Sequence, residues 1–305
     1  MKSLDIDAHT ESVMARGYTV IPGQVSASEI ASLNAAADRA LEKFSRVVAA
    51  GIKPTHTQLN PYVRSARCFY TWDASSRELL GHDTIHALAQ AVLGRPRLWD
   101  MTVLEALPMP TEAELGPFNW HRDFSASCKD ERHGYLWIFT CLTDVTKNNG
   151  ATWVIPGSHR DTSLVPPSQT NVSGAKPSNA VQLTAQAGDI VAINPAMFHC
   201  VGENRTGSGR RLALVGMCRM DRPPLLDHWS IAGPALQKQL PDRVRKLLRA
   251  TYGAADASFD VLPDGWTVAK SSGVERAFRR VWRRAGAVLS KPGRVLRLGG
   301  GATHP

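Results

Sequence analysis

A histidine and an aspartate stand two residues apart in the sequence, as His121 and Asp123. In an extended strand, side chains two residues apart point to the same face. An imidazole and a carboxylate both bind metals, but two protein groups do not fill a coordination sphere, so a third ligand must come from elsewhere. His199 is the candidate, because it follows the strand-like segment 188–195 and its turn. The three residues predict a two-histidine, one-carboxylate site that leaves one face of Fe(II) open.

The open face determines the chemistry that such a site could perform. Its vacant positions can hold a bidentate 2-oxo acid and then O₂, which a closed four-ligand structural site could not do. A dicarboxylate cosubstrate also needs a cation at its far end, and Arg210 follows His199 by eleven residues. A guanidinium grips a carboxylate with two parallel charge-assisted hydrogen bonds. The H-x-D triplet alone is a weak signal, whereas the ordered combination with His199 and Arg210 is much stronger.

Four segments carry a resemblance to a known family, and together they span roughly residues 10–220: GYTVIPG with the helix that follows it, WHRD, LTDVTKNNGATWVIPGSH, and GDIVAINPAMFHCVGENRTGSGR. In order and spacing they resemble the phytanoyl-CoA dioxygenase family of iron(II)- and 2-oxoglutarate-dependent oxygenases, which includes ectoine hydroxylase and natural-product tailoring dioxygenases. The resemblance implies that His121, Asp123 and His199 are iron ligands. It also implies a mainly β fold with flanking helices around a double-stranded β-helix, the jelly roll of cupin-like proteins.

The resemblance extends to the cosubstrate. It implies that Arg210 forms a salt bridge with the C5 carboxylate of 2-oxoglutarate and that Phe139 packs against the cosubstrate. One departure is visible, because many relatives have a hydroxyl residue two positions after the distal histidine and this chain has Val201. Related halogenases have a small residue in place of the ligating carboxylate, so the presence of Asp123 argues against chlorination.

The reaction that the resemblance implies consumes 2-oxoglutarate and O₂, releases succinate and CO₂, and hydroxylates or otherwise oxidises a small organic molecule, with a secondary metabolite favoured. Desaturation, cyclisation and epoxidation stay open. Two alternatives also stay open: an oxygenase that acts on an acyl-CoA or lipid at a membrane surface, and a non-catalytic metal- or ligand-binding protein of the same fold.

The order of elements in the sequence agrees with this fold. Residues 17–22 predict a short strand, and the capping-box pair Ser26 and Glu29 predicts the start of a helix. The stretch 51–72 has a loop-like composition. Between residues 98 and 220, short β-type segments alternate with turn signals, which favours a sandwich or barrel. The clearest strands are predicted at 135–143, 152–155, 189–193 and 212–218.

Composition limits the class of protein. The chain has 305 residues and is 43% apolar, which is enough to bury a sizeable core and favours one domain. We expect this domain, the oxygenase domain that the resemblance implies, to cover residues 1–270 and a basic amphipathic tail to cover residues 271–305. Five scattered cysteines without a CxxC pair favour a reducing cytoplasm. The sequence contains no run of about 18 apolar residues, so no transmembrane segment is predicted.

The net charge of +9 is concentrated in the tail, where residues 271–298 contain eight Lys or Arg residues against Glu275 alone. Such a tail could bind an anionic membrane surface weakly, but a terminal helix docked on the body is favoured. No nucleic-acid partner is expected, and the sequence does not predict the oligomeric state.

Three further residues are predicted to have structural rather than catalytic roles. His159, in the PGSHR segment, is predicted to be a turn residue, and Asn204 to stabilise a turn. Arg211 is predicted to point away from Arg210, because strand neighbours alternate sides, and to be a solvated surface charge.

Overall fold

The computed structural model describes residues 4–49, 62–110, 120–123, 134–161, 178–249, 259–261 and 267–269. The chain divides into two compact units, Met1–Ala254 and Ala255–Pro305. In the second unit, the described residues form an antiparallel pair of strands, Phe259–Val261 and Thr267–Ala269. The predicted amphipathic helix of the basic tail lies outside the described residues.

The first unit alternates helices and strands at its N-terminus and is strand-rich in its middle. Its helices are α1 (Ile6–Arg16), α2 (Ala27–Ala49), α3 (Ala74–Leu80), α4 (Asp83–Leu93), α5 (His228–Gln239) and α6 (Asp242–Arg249), with short 3₁₀ helices at Phe69–Thr71 and Ser158–Arg160. Its strands are β1 (Tyr18–Ile21), β2 (Val63–Arg67), β3 (Pro96–Ala106), β4 (Tyr135–Cys141), β5 (Trp153–Val154), β6 (Val181–Gln182), β7 (Ile190–Ile193), β8 (His199–Cys200) and β9 (Arg210–Arg219).

The strands of the first unit form two sheets. The larger sheet has six strands in the order β1-β7-β4-β9-β3-β2, and every neighbouring pair is antiparallel. The smaller sheet has the order β6-β5-β8. One hydrophobic cluster contains residues of both sheets, with Phe139 and Val191 from the larger sheet and Val154 from the smaller. The two sheets therefore pack their apolar faces against one another, as expected when each sheet must bury one face.

Helices flank the larger sheet. Helix α2 contacts β2 and β3, and α4 contacts β3, β4 and β9. The start of α2 agrees with the predicted capping box, because the Ser26 backbone N–H donates to Glu29 Oε2 over 2.8 Å and the Glu29 N–H donates to Ser26 Oγ over 3.3 Å. The Ser26 hydroxyl also donates to Glu29 Oε2 over 2.5 Å, and the two hydrogen bonds that Ser26 donates to this carboxylate lower the pKa of Glu29. The apolar stripe of α2 buries Leu33, Ala37 and Leu41, which recur at the spacing of one helical face.

The interpretation of residues 51–72 as a loop is wrong for its described part. Residues 63–67 form β2, the edge strand next to β3, and Phe69–Thr71 form a 3₁₀ helix. The sequence of β2 is VRSAR, in which Val63 is the one β-branched residue and no residue is aromatic, so the strand signal is weak. Its arginines are accommodated because acidic residues of β3 lie beside them: Arg64 pairs with Glu105 and Arg67 pairs with Asp100.

Candidate metal centre

His199 is positioned by the smaller sheet and by its own backbone turn. It is the first residue of β8, pairs with Val154 of β5 and is 8% exposed. Its Nδ1 lies 2.8 Å from the backbone carbonyl of Met197. The carbonyl can only accept, so Nδ1 carries the proton and Nε2 is left as the atom that could bind a metal. Burial lowers the pKa of His199, although Asp123 acts in the opposite direction, and this favours the neutral imidazole that metals bind.

The H-x-D segment is held against His199 by backbone hydrogen bonds. His121 and His199 exchange two N–H to carbonyl bonds of 3.0 Å, and the Asp123 N–H donates to the carbonyl of Pro195 over 3.0 Å. Between the two candidate ligands, Arg122 turns away: its Nη2 donates to the carbonyl of Ser158 over 2.8 Å. Its guanidinium also stacks on Phe198, 4.1 Å from the ring centre. The segment is therefore an isolated bridge rather than a full strand, yet it still presents positions 121 and 123 together.

The three candidate ligands converge. Asp123 Oδ1 lies 3.6 Å from His121 Nε2 and 3.8 Å from His199 Nε2, and one ligand atom from each residue lies within 4.8 Å of the others. Metal bonds to nitrogen and oxygen of about 2.0–2.2 Å place adjacent ligand atoms roughly 3 Å apart, so the cluster closes on one ion with movements of about 1 Å. Among the described residues, this is the one group of His, Cys, Asp or Glu side chains with such a spacing.

Arg210 lies in the larger sheet and is almost fully buried. It begins β9 opposite Ala106 of β3 and is 2% exposed. Its Nη2 donates to the carbonyl of Gly150 over 2.6 Å, while its buried Nε has no hydrogen-bond partner in the described structure. Burial lowers the pKa of Arg210 to about 10, which leaves it charged at neutral pH. A buried charge with an unsatisfied donor is costly, so the site fits a ligand carboxylate.

Gly150, whose carbonyl accepts from Arg210, lies at a position that favours glycine. Its φ of 94° is in the left-handed region, and a Cβ there would lie 3.1 Å from the carbonyl oxygen of Gly202.

Phe139 lies on the same face of the larger sheet as Arg210. It pairs with Leu214 of β9, is 7% exposed and packs in the cluster shared by the two sheets. Trp137 lies two residues before Phe139 on this face, and the two ring centres are 6.4 Å apart. The indole Nε1 of Trp137 donates to Asp123 Oδ2 over 2.7 Å. The sequence interpretation missed this residue, although the alternation of β4 would have placed it on the face of Phe139.

Two interpretations agree with the structure, and one does not. His159 is fully buried in a 3₁₀ turn, with Nε2 3.0 Å from the carbonyl of Met14, and Asn204 bonds the carbonyls of Ala106 and Ser208. Arg211 does point to the opposite face from Arg210. It is not a solvated charge, however, because it pairs with Glu105 over 2.8 Å and with Asp38 over 2.7 Å.

The fold is that of known 2-oxoglutarate-dependent oxygenases. The chain resembles the solved structure of HygX from Streptomyces hygroscopicus with nickel and 2-oxoglutarate bound, with a TM-score of 0.55 and 16% identity over 71% of this chain and 88% of that one. It also resembles the alpha-ketoglutarate-dependent carbocyclase SnoK from nogalamycin biosynthesis, with a TM-score of 0.54 and 21% identity over 72% of this chain and 86% of that one.

The model of the phytanoyl-CoA dioxygenase (PhyH) family matches residues 14–212, and the chain belongs to that family. Dioxygenase af480 of Aspergillus fumigatus is 29% identical over 259 residues, which cover 81% of this chain and 77% of that protein. The iron/alpha-ketoglutarate-dependent dioxygenase penM of Penicillium thymicola is 32% identical over 105 residues, 34% of this chain and 31% of that protein. The chain is a dioxygenase that depends on iron and 2-oxoglutarate.

Proposed function

We propose that His121, Asp123 and His199 bind one Fe(II) and that this centre oxidises a small organic substrate at the expense of 2-oxoglutarate and O₂. The convergence of the three ligand atoms within 4.8 Å carries the proposal. Two imidazoles and one carboxylate form a facial set that suits Fe(II) and leaves the opposite positions open. When bound, the iron supplies O₂ activation that is coupled to the decarboxylation of 2-oxoglutarate to succinate and CO₂.

In this proposal, Arg210 binds the C5 carboxylate of 2-oxoglutarate. Its buried Nε is available to donate, and no acidic side chain in the described structure pairs with it. A carboxylate placed there would receive charge-assisted hydrogen bonds in a dry environment, where such bonds are stronger than in water. Phe139, on the same face and between Trp137 and Cys141 along β4, would pack against the carbon chain of the cosubstrate.

The arrangement of the two sheets supports a double-stranded β-helix. The smaller sheet supplies His199, the larger sheet supplies Arg210 and Phe139, and their apolar faces share one cluster. A barrel of this kind encloses the cosubstrate between two sheets and leaves the ligand set at one end accessible, since His121 and Asp123 retain 36% and 23% of their side-chain exposure. Substrate would therefore approach the iron from the side of the H-x-D segment.

We infer that the substrate is a secondary metabolite, which the protein hydroxylates or otherwise oxidises. Support comes from the relatives, because SnoN was solved in complex with Fe3+, alpha ketoglutarate and nogalamycin RO, and HygX with hygromycin B bound. The experiment supplies Fe(II), 2-oxoglutarate and O₂ with a panel of such metabolites. Substrates are compounds that raise succinate release above the substrate-free rate, and a gain of one oxygen atom by mass spectrometry then identifies hydroxylation. A protein that releases no succinate under any of these conditions would contradict the proposal and favour a non-catalytic binding protein.

We propose that residues 1–270 form the catalytic domain and that the basic segment 271–305 is an accessory. The charge of the segment supports this, because its lysines and arginines are unlike the nearly neutral remainder of the chain. Removing residues 271–305 should then leave succinate formation unchanged while abolishing any binding to anionic lipid vesicles. Loss of turnover on acyl-CoA or lipid substrates alone would instead favour an oxygenase that works at a membrane surface.

We also propose that the protein works in the cytoplasm. The described cysteines Cys68, Cys141, Cys200 and Cys218 are buried and free, which fits a reducing compartment. None of the described helices is long and apolar enough to cross a membrane.

A further inference from the structure

We infer that Trp137 is a positioning residue that keeps the Asp123 carboxylate monodentate, so that the iron retains a position for O₂ after 2-oxoglutarate binds. The inference rests on the proposed function of the three ligands. It starts from the different surroundings of the two Asp123 oxygens: Oδ1 faces both imidazoles, at 3.6 and 3.8 Å, while Oδ2 accepts the indole N–H of Trp137 over 2.7 Å.

The difference between one and two bound oxygens decides what else the metal can hold. Three protein ligand atoms leave three positions of an octahedral ion, two for the 2-oxo acid and one for O₂. A carboxylate that binds through both oxygens takes one of those positions. The indole N–H opposes this second mode because it occupies Oδ2, and an indole nitrogen is a donor that cannot itself bind the metal.

The packing around Trp137 holds its ring in the place that the hydrogen bond requires. Trp99 of β3 packs on it with ring centres 4.8 Å apart. Gly216 of β9 is the direct strand partner of Trp137. A Cβ at this glycine would lie 2.8 Å from Trp137 Cζ3 and 2.9 Å from Trp99 Cε3. The absence of a side chain at position 216 therefore makes the space in which the two indoles lie.

Trp99 itself makes two further contacts. Its ring meets Tyr135 edge-on at 5.2 Å, and its backbone carbonyl accepts a hydrogen bond from Nε2 of the buried His228 over 2.9 Å. The rings of Tyr135, Trp99 and Trp137 thus form a continuous aromatic row that ends on the ligand carboxylate. A row of this kind fixes the Asp123 carboxylate by holding the indole that donates to it, since the hydrogen-bond partner of a ligand side chain sets that ligand's orientation.

The test compares Trp137→Phe with Trp120→Phe in the full chain. Both replace an indole with a phenyl ring near the ligands. Only the first removes a hydrogen bond to Asp123, because the buried Nε1 of Trp120 has no hydrogen-bond partner within the described ranges. Each protein is loaded anaerobically with Fe(II) and titrated with nitric oxide, an O₂ substitute, with and without saturating 2-oxoglutarate. Electron paramagnetic resonance measures how much nitric oxide binds.

We expect Trp137→Phe to bind nitric oxide about 10- to 100-fold more weakly than the wild type when 2-oxoglutarate is present, in line with other outer-shell substitutions. Without 2-oxoglutarate the metal has positions to spare, so the affinity should match that of the wild type. Trp120→Phe should match the wild type in both conditions. General damage to the site would weaken binding in both conditions, and this result would overturn the inference.

Gly216→Ala provides a second variant that keeps the indole N–H but displaces the ring. We expect the same dependence on 2-oxoglutarate with a smaller loss, roughly 3- to 10-fold. If Trp137→Phe proves unfolded by thermal denaturation, Gly216→Ala decides the question by the same readings. Unchanged nitric oxide binding in variants that hold iron and 2-oxoglutarate would refute the role of Trp137. A wild-type chain that binds no iron would instead refute the proposed function, and the inference with it.

Discussion

Two neighbouring arginines at the start of β9 lie in opposite environments. Arg210 faces the space between the two sheets and donates to the carbonyl of Gly150, and burial lowers its pKa to about 10. Arg211 faces the helices. Burial acts on Arg211 in the same direction, but its hydrogen bonds and charge pairing with Glu105 and Asp38 raise its pKa overall.

This difference separates a binding group from a structural one. Arg211 joins β9, β3 and α2, because Glu105 and Asp38 come from those elements and Asn34 of α2 also accepts from it at 3.5 Å. Its charge is neutralised within the protein. No acidic partner in the described structure neutralises Arg210, and its cost of burial is offset only when an anion arrives. The face of the larger sheet that carries Arg210 and Phe139 is thus organised around a ligand that the chain does not supply.

The largest expected effect concerns the candidate metal ligands. Asp123→Ala should lower Fe(II) affinity by more than the roughly 100-fold that outer-shell changes reach, and succinate formation should fall with it. The unfolding free energy should change by less than about 1 kcal/mol, because Asp123 is partly exposed and not in the core. Isothermal titration and thermal unfolding measure the two quantities. Retained iron affinity in a folded Asp123→Ala protein would remove this residue from the ligand set.

The next largest effect concerns Arg210, the proposed binding group for the cosubstrate. Arg210→Ala should weaken 2-oxoglutarate binding by about 1.5–3 kcal/mol, or roughly 10- to 150-fold, because hydrogen bonds between charged groups are lost. Iron affinity should stay the same, since Arg210 touches none of the candidate ligands. Calorimetry with the iron-loaded protein measures both constants. An Arg210→Ala protein with unaltered 2-oxoglutarate affinity would contradict the assignment.

Arg211→Ala is the matched control for Arg210→Ala and should behave in the opposite way. We expect unchanged 2-oxoglutarate affinity and a loss of about 1–3 kcal/mol in unfolding free energy, because Glu105 is 5% exposed and loses one of its two arginine partners. Chemical denaturation followed by fluorescence provides the measurement. If Arg211→Ala weakened 2-oxoglutarate binding as strongly as Arg210→Ala, the distinction between the two faces would be lost.

The smallest effect is expected at Phe139. Phe139→Leu keeps an apolar side chain but removes an aromatic contact worth about 0.5–1.5 kcal/mol, so the KM for 2-oxoglutarate should rise roughly 2- to 10-fold. Leu214→Met, at the strand partner of Phe139, is a suitable control because it changes the same cluster without an aromatic loss. A larger rise for Leu214→Met than for Phe139→Leu would place the cosubstrate elsewhere on this face.

Local patterns predicted much of the strand-rich middle. The β-type composition of residues 135–143 and 212–218, between turn signals, predicted β4 and β9 nearly to their ends, and the Ser26–Glu29 capping box predicted the start of α2. These features depend on neighbours in sequence, so periodicity and capping chemistry identify them. The three candidate ligands were also singled out, since residue type and order already suggested the set that the structure brings together.

Features that depend on distant partners were not predictable in this way. Strand β2 forms because acidic residues of β3 accept its arginines, and its own residues do not indicate a strand. Arg211 was interpreted as solvated because its partner Glu105 lies 106 residues away in sequence. The contact between Trp137 and Asp123 likewise joins two separate segments. Each required knowledge of which strands are adjacent in space.

The central claim is that one Fe(II), held by His121, Asp123 and His199, shares its site with a 2-oxoglutarate held by Arg210. Anaerobic addition of 2-oxoglutarate to the iron-loaded protein tests it most directly, because the visible charge-transfer absorption of a 2-oxo acid on Fe(II) requires both at one place. We predict a band that saturates at one 2-oxoglutarate per chain, is absent in Asp123→Ala and needs a higher 2-oxoglutarate concentration in Arg210→Ala. A protein that binds both iron and 2-oxoglutarate but develops no such band would contradict the account.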